Sequence, residues 1–351
     1  MSNKKVILGV SGGVDSSVAA LLLKKQGYEV IGVTMKLWKD EDFSTENTCD
    51  NIEDARLICD KLGIKHYVID LSDDFKHHVV DYFINDYSNC RTPNPCVECN
   101  RFLKFGKMFE LADEFGAEYV STGHYARVCY DDKYAGYVIK KSAAGKKDQT
   151  YVLYVIDQNK LHRVLFPLGD FKDKESIRQV AQENSLLTAK KRDSQEICFI
   201  PNNDTRGFID KYIPQKVGNI VTRDGKVLGC HNGIAHYTLG QRKGMGISHP
   251  TPIFVTKLDK KTNSVIVGSN DDLFSTELYA ENVNWHITDK LSEPLKVKAK
   301  VRYSATESPA TVYPEDKGIK VVFDVPQRAV TPGQSVVFYI DDVLAGGGII
   351  C

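Results

Sequence analysis

Apolar and polar positions change rhythm once along this chain, near residue 205. Before that point, short β-branched runs alternate with segments whose apolar residues recur at helical spacing. The runs at 6–10, 30–35, 67–71 and 119–122 read as strands. Helices are predicted over 16–26, with Val18, Leu21, Leu22 and Leu23 on a broad apolar face, and over 52–62, 73–87, 101–115 and 174–184. Gly27, Gly63 and Gly116 stop three of them, and Ser72 is the expected N-cap of the fourth segment's helix at 73–87. Strand–helix repetition of this kind calls for a parallel sheet covered by helices on both faces. Beyond 205 the runs at 217–227, 253–258, 265–267, 297–303, 311–313, 319–325 and 335–340 are strand-like. Turn signals such as Arg223-Asp224-Gly225 and Thr331-Pro332-Gly333 separate them, which suggests one or two small β-barrels. The expected organisation is an α/β N-terminal domain over 1–205, a central β-rich domain over 206–272 and a C-terminal β-barrel over 273–351, with the join at 271–275.

Length and composition sharpen this only in part. A chain of 351 residues holds two or three domains. With 42% hydrophobic and 26% charged residues it is neither disordered nor fibrous. Lys+Arg and Asp+Glu are both 46, so bulk charge gives no argument for nucleic acid, and any such site must come from local patches. No apolar run approaches the ~20 residues of a membrane span. The first ten residues start like a signal peptide, but Asp15 breaks the pattern. Nine cysteines, an odd number scattered over the chain, argue against a secreted disulfide framework. The reading is a cytoplasmic protein with reduced thiols and no membrane association.

Three motifs carry chemistry. The first is Gly9-Val10-Ser11-Gly12-Gly13-Val14-Asp15-Ser16, which follows a strand and opens a helix. Adjacent glycines let backbone N–H groups approach an anion, and the helix N-terminus adds a positive dipole end. The Walker lysine is missing, and the pattern is not GxGxxG either. The plain alternative is a glycine-rich helix cap. The motif resembles the PP-loop of the ATP pyrophosphatases, which adenylate a substrate and release pyrophosphate. The second motif is Thr92-Pro93-Asn94-Pro95-Cys96-Val97-Glu98-Cys99-Asn100. Its prolines fix the approach of the chain, and Asn100 can cap the following helix, which would leave Cys99 where a thiolate is favoured. A redox or nucleophilic pair, half a metal site and two buried small hydrophobes all remain open for this CxxC. The third is the segment 189–200, in which Cys198 stands in Ile197-Cys198-Phe199-Ile200, a setting that taken alone fits a core residue.

The motifs occur in one order along the chain: the loop at 9–16, Arg91 to Pro95 with Cys99, Thr122-Gly123-His124-Tyr125, Lys147-Asp148-Gln149, Asp193-Ser194 with Ile197-Cys198-Phe199, His236 to Gly244, Arg302-Tyr303, and Thr331 to Gln334. This set closely resembles the bacterial tRNA-specific 2-thiouridylases, over nearly the whole chain. The resemblance implies that Gly9, Val10, Ser11, Gly12, Gly13, Val14, Asp15 and Ser16, the Met35 backbone and Gly123 hold ATP. It implies that Cys99 is the nucleophile and that Cys198 carries a persulfide. Asn94, Pro95 and Cys96 would meet the target base. His124, Lys147, Asp148, Gln149, Arg302, Tyr303 and Gln334 would touch tRNA. Many family members have Asp where this chain has Cys96, and a thiol does not simply inherit an acid–base role.

The implied chemistry is coherent. The C2 oxygen of uridine is a poor leaving group, and attack on the α-phosphate of ATP, with Mg2+ neutralising the triphosphate, turns it into a good one. Sulfur from the Cys198 persulfide then replaces AMP, and a Cys99–Cys198 disulfide remains for an external reductant. The implied partners are a tRNA with a modifiable wobble uridine and a persulfide donor, such as a cysteine desulfurase or a sulfur relay protein. One alternative is a [4Fe–4S] cluster on Cys96, Cys99 and Cys198 with an open iron. Others are a PP-loop amidotransferase or ligase, and a non-enzymatic tRNA-binding or redox module. Lys140, Lys141, Lys146 and Lys147, then Lys190, Lys191 and Arg192, then Arg242, Lys243, Lys298, Lys300 and Arg302 are the candidate phosphate-tracking patches.

Overall fold

The computed structural model describes residues 4–38, 47–191 and 197–351. Asp193, Ser194 and Arg192, singled out above, lie outside the described residues. The N-terminal part is a parallel sheet of five strands. These are β1 (Lys5–Gly9), β2 (Glu29–Lys36), β3 (Lys65–Asp70) and β4 (Tyr119–Ser121), then, after a hairpin of β5 (Ala126–Asp131) and β6 (Gly136–Lys141), β7 (Val164–Leu165). Their order is β3-β2-β1-β4-β7. The chain therefore winds outward from β1 to β3 and then reverses to β4 on the other side. Such a switch point opens a crevice at the carboxyl ends of the two central strands, where doubly wound sheets bind ligands. Here the crevice lies between the loop after β1 and the Thr122-Gly123 turn after β4.

Helices cover both faces. They are α1 (Val14–Lys25), α2 (Asn47–Leu62), α3 (residues 72–88), α4 (residues 95–114), α5 (Lys174–Glu183) and α6 (Thr205–Tyr212). Both α3 and α4 contain widened π-helical turns, over Lys76–Val80 and Cys99–Lys107. Ser72 does not cap α3. It is the first helical residue, and Asp70 Oδ1 accepts from its backbone N–H at 3.0 Å and its hydroxyl at 2.6 Å. The reason is charge: a carboxylate at that end satisfies the free N–H more strongly than a hydroxyl does.

Beyond α6 the single run expected at 217–227 is two strands, β8 (Gly218–Thr222) and β9 (Val227–His231), turned at Asp224-Gly225. With β10 (Phe254–Asp259) and β11 (Ser264–Gly268) they form a four-stranded sheet. The remaining strands are β12 (Phe274–Trp285), β13 (Leu295–Lys300), β14 (Ser308–Pro314), β15 (Ile319–Arg328), β16 (Ser335–Ile340) and β17 (Val343–Ile350). They run in the order β12-β15-β14-β13-β16-β17, and β12 also pairs with β17, so six strands close into an antiparallel barrel. Closure removes the free edges that would otherwise template aggregation.

The barrel and the α/β part share a core. Tyr151, Tyr154, Phe105 and Ile7 belong to the same buried cluster as Val337, Tyr339 and Leu344 of the barrel. The Tyr151 hydroxyl donates to the Ser335 carbonyl at 2.8 Å. The β5–β6 hairpin adds to the barrel sheet through Lys140 and Val343. Gly347 lets the Tyr154 ring pack against the barrel, since a Cβ there would stand 2.8 Å from that ring. Among the described residues no helix is long and apolar enough to cross a membrane.

Candidate active site

The loop at 9–16 turns tightly from β1 into α1. Ser16 Oγ donates to the Gly13 carbonyl at 3.1 Å and accepts from the Ser11 N–H at 3.2 Å, so the loop is braced from within. Gly12 has φ +67°, and a Cβ there would run into the Asn51 carbonyl of α2. Gly123 arrives from β4 and packs on the start of α1, where its Cβ would be 3.0 Å from the Asp15 carbonyl carbon and from the Ser16 nitrogen. The structure thus brings Gly9 to Ser16 and Gly123 together at the switch point. Met35 stands near the carboxyl end of the neighbouring β2, where Thr34 Oγ1 donates to the Val10 carbonyl at 2.6 Å.

The cysteines gather on the same edge of the sheet. Cys99 is buried in a cluster with Phe75, Phe83, Leu103, Phe199, Ile200 and Phe208, against which Met35, Leu37 and Trp38 also pack. Met35, Leu37 and Trp38 lie at or beyond the end of β2, so this centre lies at the same carboxyl edge of the sheet as the loop. Phe199 anchors the Cys198 segment in that cluster. Cys198 keeps exposed surface while protein surrounds it closely, and Cys96 is exposed. Burial pushes the Cys99 thiol up, and Lys104 partly opposes this. Burial raises Cys198 as well, the thiolates of Cys99 and Cys96 add to the rise, and Lys104 again opposes it. Cys96 acts on both of the other thiols and Cys99 acts on Cys198, so the three lie in one neighbourhood. Cys96, Cys99 and Cys198 are all free thiols.

Two sequence expectations fail here. The helix starts at Pro95, not after Asn100, so Cys99 sits a full turn inside α4. Proline at the first helical position needs no N–H partner, which moves the start forward. The Asn100 amide donates instead to the Val152 carbonyl at 2.9 Å. The surroundings of Cys99 therefore disfavour its thiolate at rest. Second, among the described residues no group of three or more His, Cys, Asp or Glu side chains stands together as a metal site. The three thiols as arranged do not fit a [4Fe–4S] cluster.

A barrel loop holds the segment that carries Asn94, Pro95 and Cys96. The Thr92 N–H donates to the Pro332 carbonyl at 2.8 Å, and Gln334 Nε2 donates to the carbonyls of Thr92 and Pro93 at 3.0 and 3.2 Å. Gly333 has φ +92°, with its missing Cβ 2.8 Å from the Thr92 oxygen. Gly333→Ala is expected to cost about 1–2 kcal/mol from the left-handed backbone alone. It should also displace the 92–96 segment, so activity falls more than the melting midpoint does; equal small losses in both would count against this docking role.

The remaining candidates divide. Tyr303 is partly exposed, its hydroxyl donates to the Asp148 carbonyl at 3.2 Å, and its phenol feels the Cys96 charge. Lys147 is exposed. Gln149 Oε1 accepts from the Tyr125 N–H at 3.0 Å. The Asp148 carboxylate accepts from Ser142 and Thr150, and burial raises its carboxyl. Arg302 donates to the Arg328 carbonyl at 3.3 Å. His124 is 8% exposed. Its Nδ1 lies 2.7 Å from Thr122 Oγ1, and burial holds it neutral, well below its ordinary value. In this arrangement it fixes the turn that carries Gly123. Lys140 and Lys141, expected in a basic patch, are engaged by Asp131 at 2.8 Å and Glu307 at 2.6 Å. Lys191 is likewise paired with Asp54 at 2.5 Å. The fold brings these lysines to carboxylates distant in sequence or across the hairpin, which a linear reading cannot pair.

Comparison with known proteins identifies the class. Residues 4–202 match the family described as tRNA methyl transferase HUP domain, residues 206–269 the tRNA methyl transferase PRC-barrel domain, and residues 275–350 an aminomethyltransferase beta-barrel domain. The tRNA-specific 2-thiouridylase MnmA of Clostridium acetobutylicum is 51% identical over 356 residues, 99% of each chain. That of Acetivibrio thermocellus is 50% identical over 359 residues and the whole of both chains. That of Clostridioides difficile is 49% identical over 356 residues, 99% of this chain and 98% of its own. The chain belongs to the family of tRNA-specific 2-thiouridylases.

Proposed function

We propose that this protein uses ATP to replace O2 of the wobble uridine of tRNA with sulfur carried on Cys198. The observation that supports this best is that the phosphate loop and the Cys99–Cys198 pair open on one carboxyl edge of the sheet. Adenylation and sulfur transfer then act on a single base without its leaving the site. The loop N–H groups and the α1 N-terminus receive the polyphosphate, which arrives with its magnesium. Uridine O2 attacks the α-phosphorus and pyrophosphate departs. The terminal sulfur of the Cys198 persulfide attacks C2, and AMP leaves with the former O2. Cys99 then attacks the inner sulfur, Cys198 Sγ; the S–S bond to the transferred sulfur breaks, 2-thiouridine leaves, and the Cys99–Cys198 disulfide is reduced by an external dithiol. The base enters from a single-stranded anticodon, which lowers the cost of splaying it out. The exposed Lys147 and Tyr303 and the Gln334 loop frame that entrance. A cysteine desulfurase or relay protein in the cytoplasm supplies the persulfide.

The words methyl transferase in the matched family descriptions raise a second reading. Methyl transfer needs neither an amide cradle for polyphosphate nor a second thiol, and both are present. The deciding experiment is mass analysis of tRNA nucleosides after incubation with ATP, magnesium and a persulfide donor. One sulfur in place of one oxygen at the wobble uridine supports the proposal, and a methyl gain or no change refutes it.

Cys96 provides a second test. If Cys96 only borders the base, Cys96→Asp should thiolate within about threefold of wild type, because the exposed position tolerates a small polar group. Iron counted per chain in protein prepared without oxygen should be the same, and negligible, in both. Activity that requires iron, and falls in the variant, would favour a cluster.

A further inference from the structure

The phosphate loop has no lysine of its own, and the fold brings one to it. Lys174 is the first residue of α5. Its ammonium donates to the two carboxylate oxygens of Asp15 at 2.8 and 2.7 Å. The Tyr125 hydroxyl donates to Asp15 Oδ1 at 2.6 Å, and the Tyr125 ring lies 5.8 Å below the ammonium. The Lys174 side chain is only 11% exposed, so it sits within the crevice and not on the surface. Asp15 is the second residue of α1, and its backbone touches Gly123.

An enclosed ion pair contributes little net stability, because desolvation offsets most of the attraction. Its placement calls for another explanation. A bare carboxylate at the mouth of an anion cradle repels polyphosphate, and Lys174 cancels that charge while the cradle is empty. The lysine stem is flexible and its ammonium is a compact point charge with three donors. A rotamer change is enough to carry it from a carboxylate to a neighbouring phosphate.

We propose that Lys174 is the phosphate lysine of this site. It rests on Asp15 in the empty protein and donates to the pyrophosphate portion of bound nucleotide, while Asp15 turns to the magnesium that enters with it. This rests on the reading that the loop binds ATP. During adenylation the bond from uridine O2 to the α-phosphorus forms, and the bond from that phosphorus to the bridging oxygen breaks. The electron pair leaves on pyrophosphate. Lys174 stays an ammonium throughout, gives up no proton, and offsets the charge growing on the bridging oxygen.

The test is calorimetric binding of inorganic pyrophosphate to the full chain without magnesium or tRNA. Lys174→Met keeps the stem over Tyr125 and so preserves packing. It should weaken pyrophosphate roughly 10–100-fold, as expected for loss of a charged hydrogen bond. The deciding comparison is made in an Asp15→Asn background, where no carboxylate remains to be neutralised. There Lys174→Met should again weaken binding by a similar factor. Equal affinities of Asp15→Asn and Asp15→Asn/Lys174→Met would reduce Lys174 to a counter-ion and overturn the proposal. Absence of pyrophosphate and ATP binding in both wild type and Asp15→Asn would be a different failure, that of the nucleotide reading of the loop.

Discussion

Cys198→Ser is expected to abolish 2-thiouridine formation while ATP and tRNA still bind. Serine nearly keeps the volume of cysteine but holds no sulfane sulfur, so the loss is of chemistry and not of packing. The side chain makes few demands on the core: Cys198 keeps exposed surface, whereas its neighbour Phe199 is buried and anchors the segment. The fold should therefore survive, with a melting midpoint within about 2 °C of wild type, as for other exposed substitutions. Pyrophosphate release in the presence of tRNA should continue, because the loop at 9–16 is untouched. Adenylated tRNA should then accumulate and decay without gaining sulfur. The measurement is paired: nucleoside mass for sulfur, and phosphate assay for adenylation. A variant that thiolates at the wild-type rate from a persulfide donor would remove Cys198 from the route. A variant that also loses pyrophosphate release would mean that this segment shapes the nucleotide site instead.

The α/β part was legible because its signals are local. A β-branched run, a helical face and a terminating glycine each lie within a dozen residues, and all five strands that carry or flank the crevice follow that grammar except the two-residue β7. The hairpin at 126–141 went unread although its strands alternate, because it leaves the α/β sheet and pairs with β17 two hundred residues later. The glycine-rich Val343–Ile350 segment reads poorly as a strand. Its glycines are there for close approach, Gly346 against Trp285 and Gly347 against Tyr154, which only the closed barrel reveals. At the site, the loop glycines and both cysteines could be found from motif order. Lys174 and Lys104 could not, since nothing in a linear chain says which lysine will face Asp15 or the thiols. The thiol environment was misjudged for a related reason. The start of α4 depended on Pro95, and the burial of Cys99 on Phe199 and Phe208, a hundred residues away.

That burial makes the sulfur-transfer step steeply dependent on pH. Both thiols are pushed above the ordinary cysteine value, Cys99 by burial and Cys198 by burial together with its neighbouring thiolates. At neutral pH Cys99 is overwhelmingly the thiol, and its thiolate is the nucleophile that releases the transferred sulfur from Cys198. Below the folded pKa the thiolate fraction grows about tenfold per pH unit. Under single-turnover conditions, with the Cys99 attack limiting, 2-thiouridine release should climb close to tenfold per unit from about pH 7 to 9, with no plateau near the free-cysteine value of about 8.5. Lys104, on the widened Cys99–Lys107 stretch, is the cation that opposes the rise at both sites. Lys104→Met should keep the slope but lower the rate roughly tenfold at each pH, the size expected for removing one nearby opposite charge. Stability moves the other way. Because the folded thiols have raised pKa values, the stability they contribute is whole below the unfolded value of about 8.5 and drains away as pH rises toward the folded ones. Activity should therefore rise from pH 7, while the melting midpoint holds to about pH 8.5 and falls only above it, and circular dichroism at each pH separates the two. A rate that levels off by pH 8, or a Lys104→Met profile superimposable on wild type, would show that the buried Cys99 thiol does not govern the step.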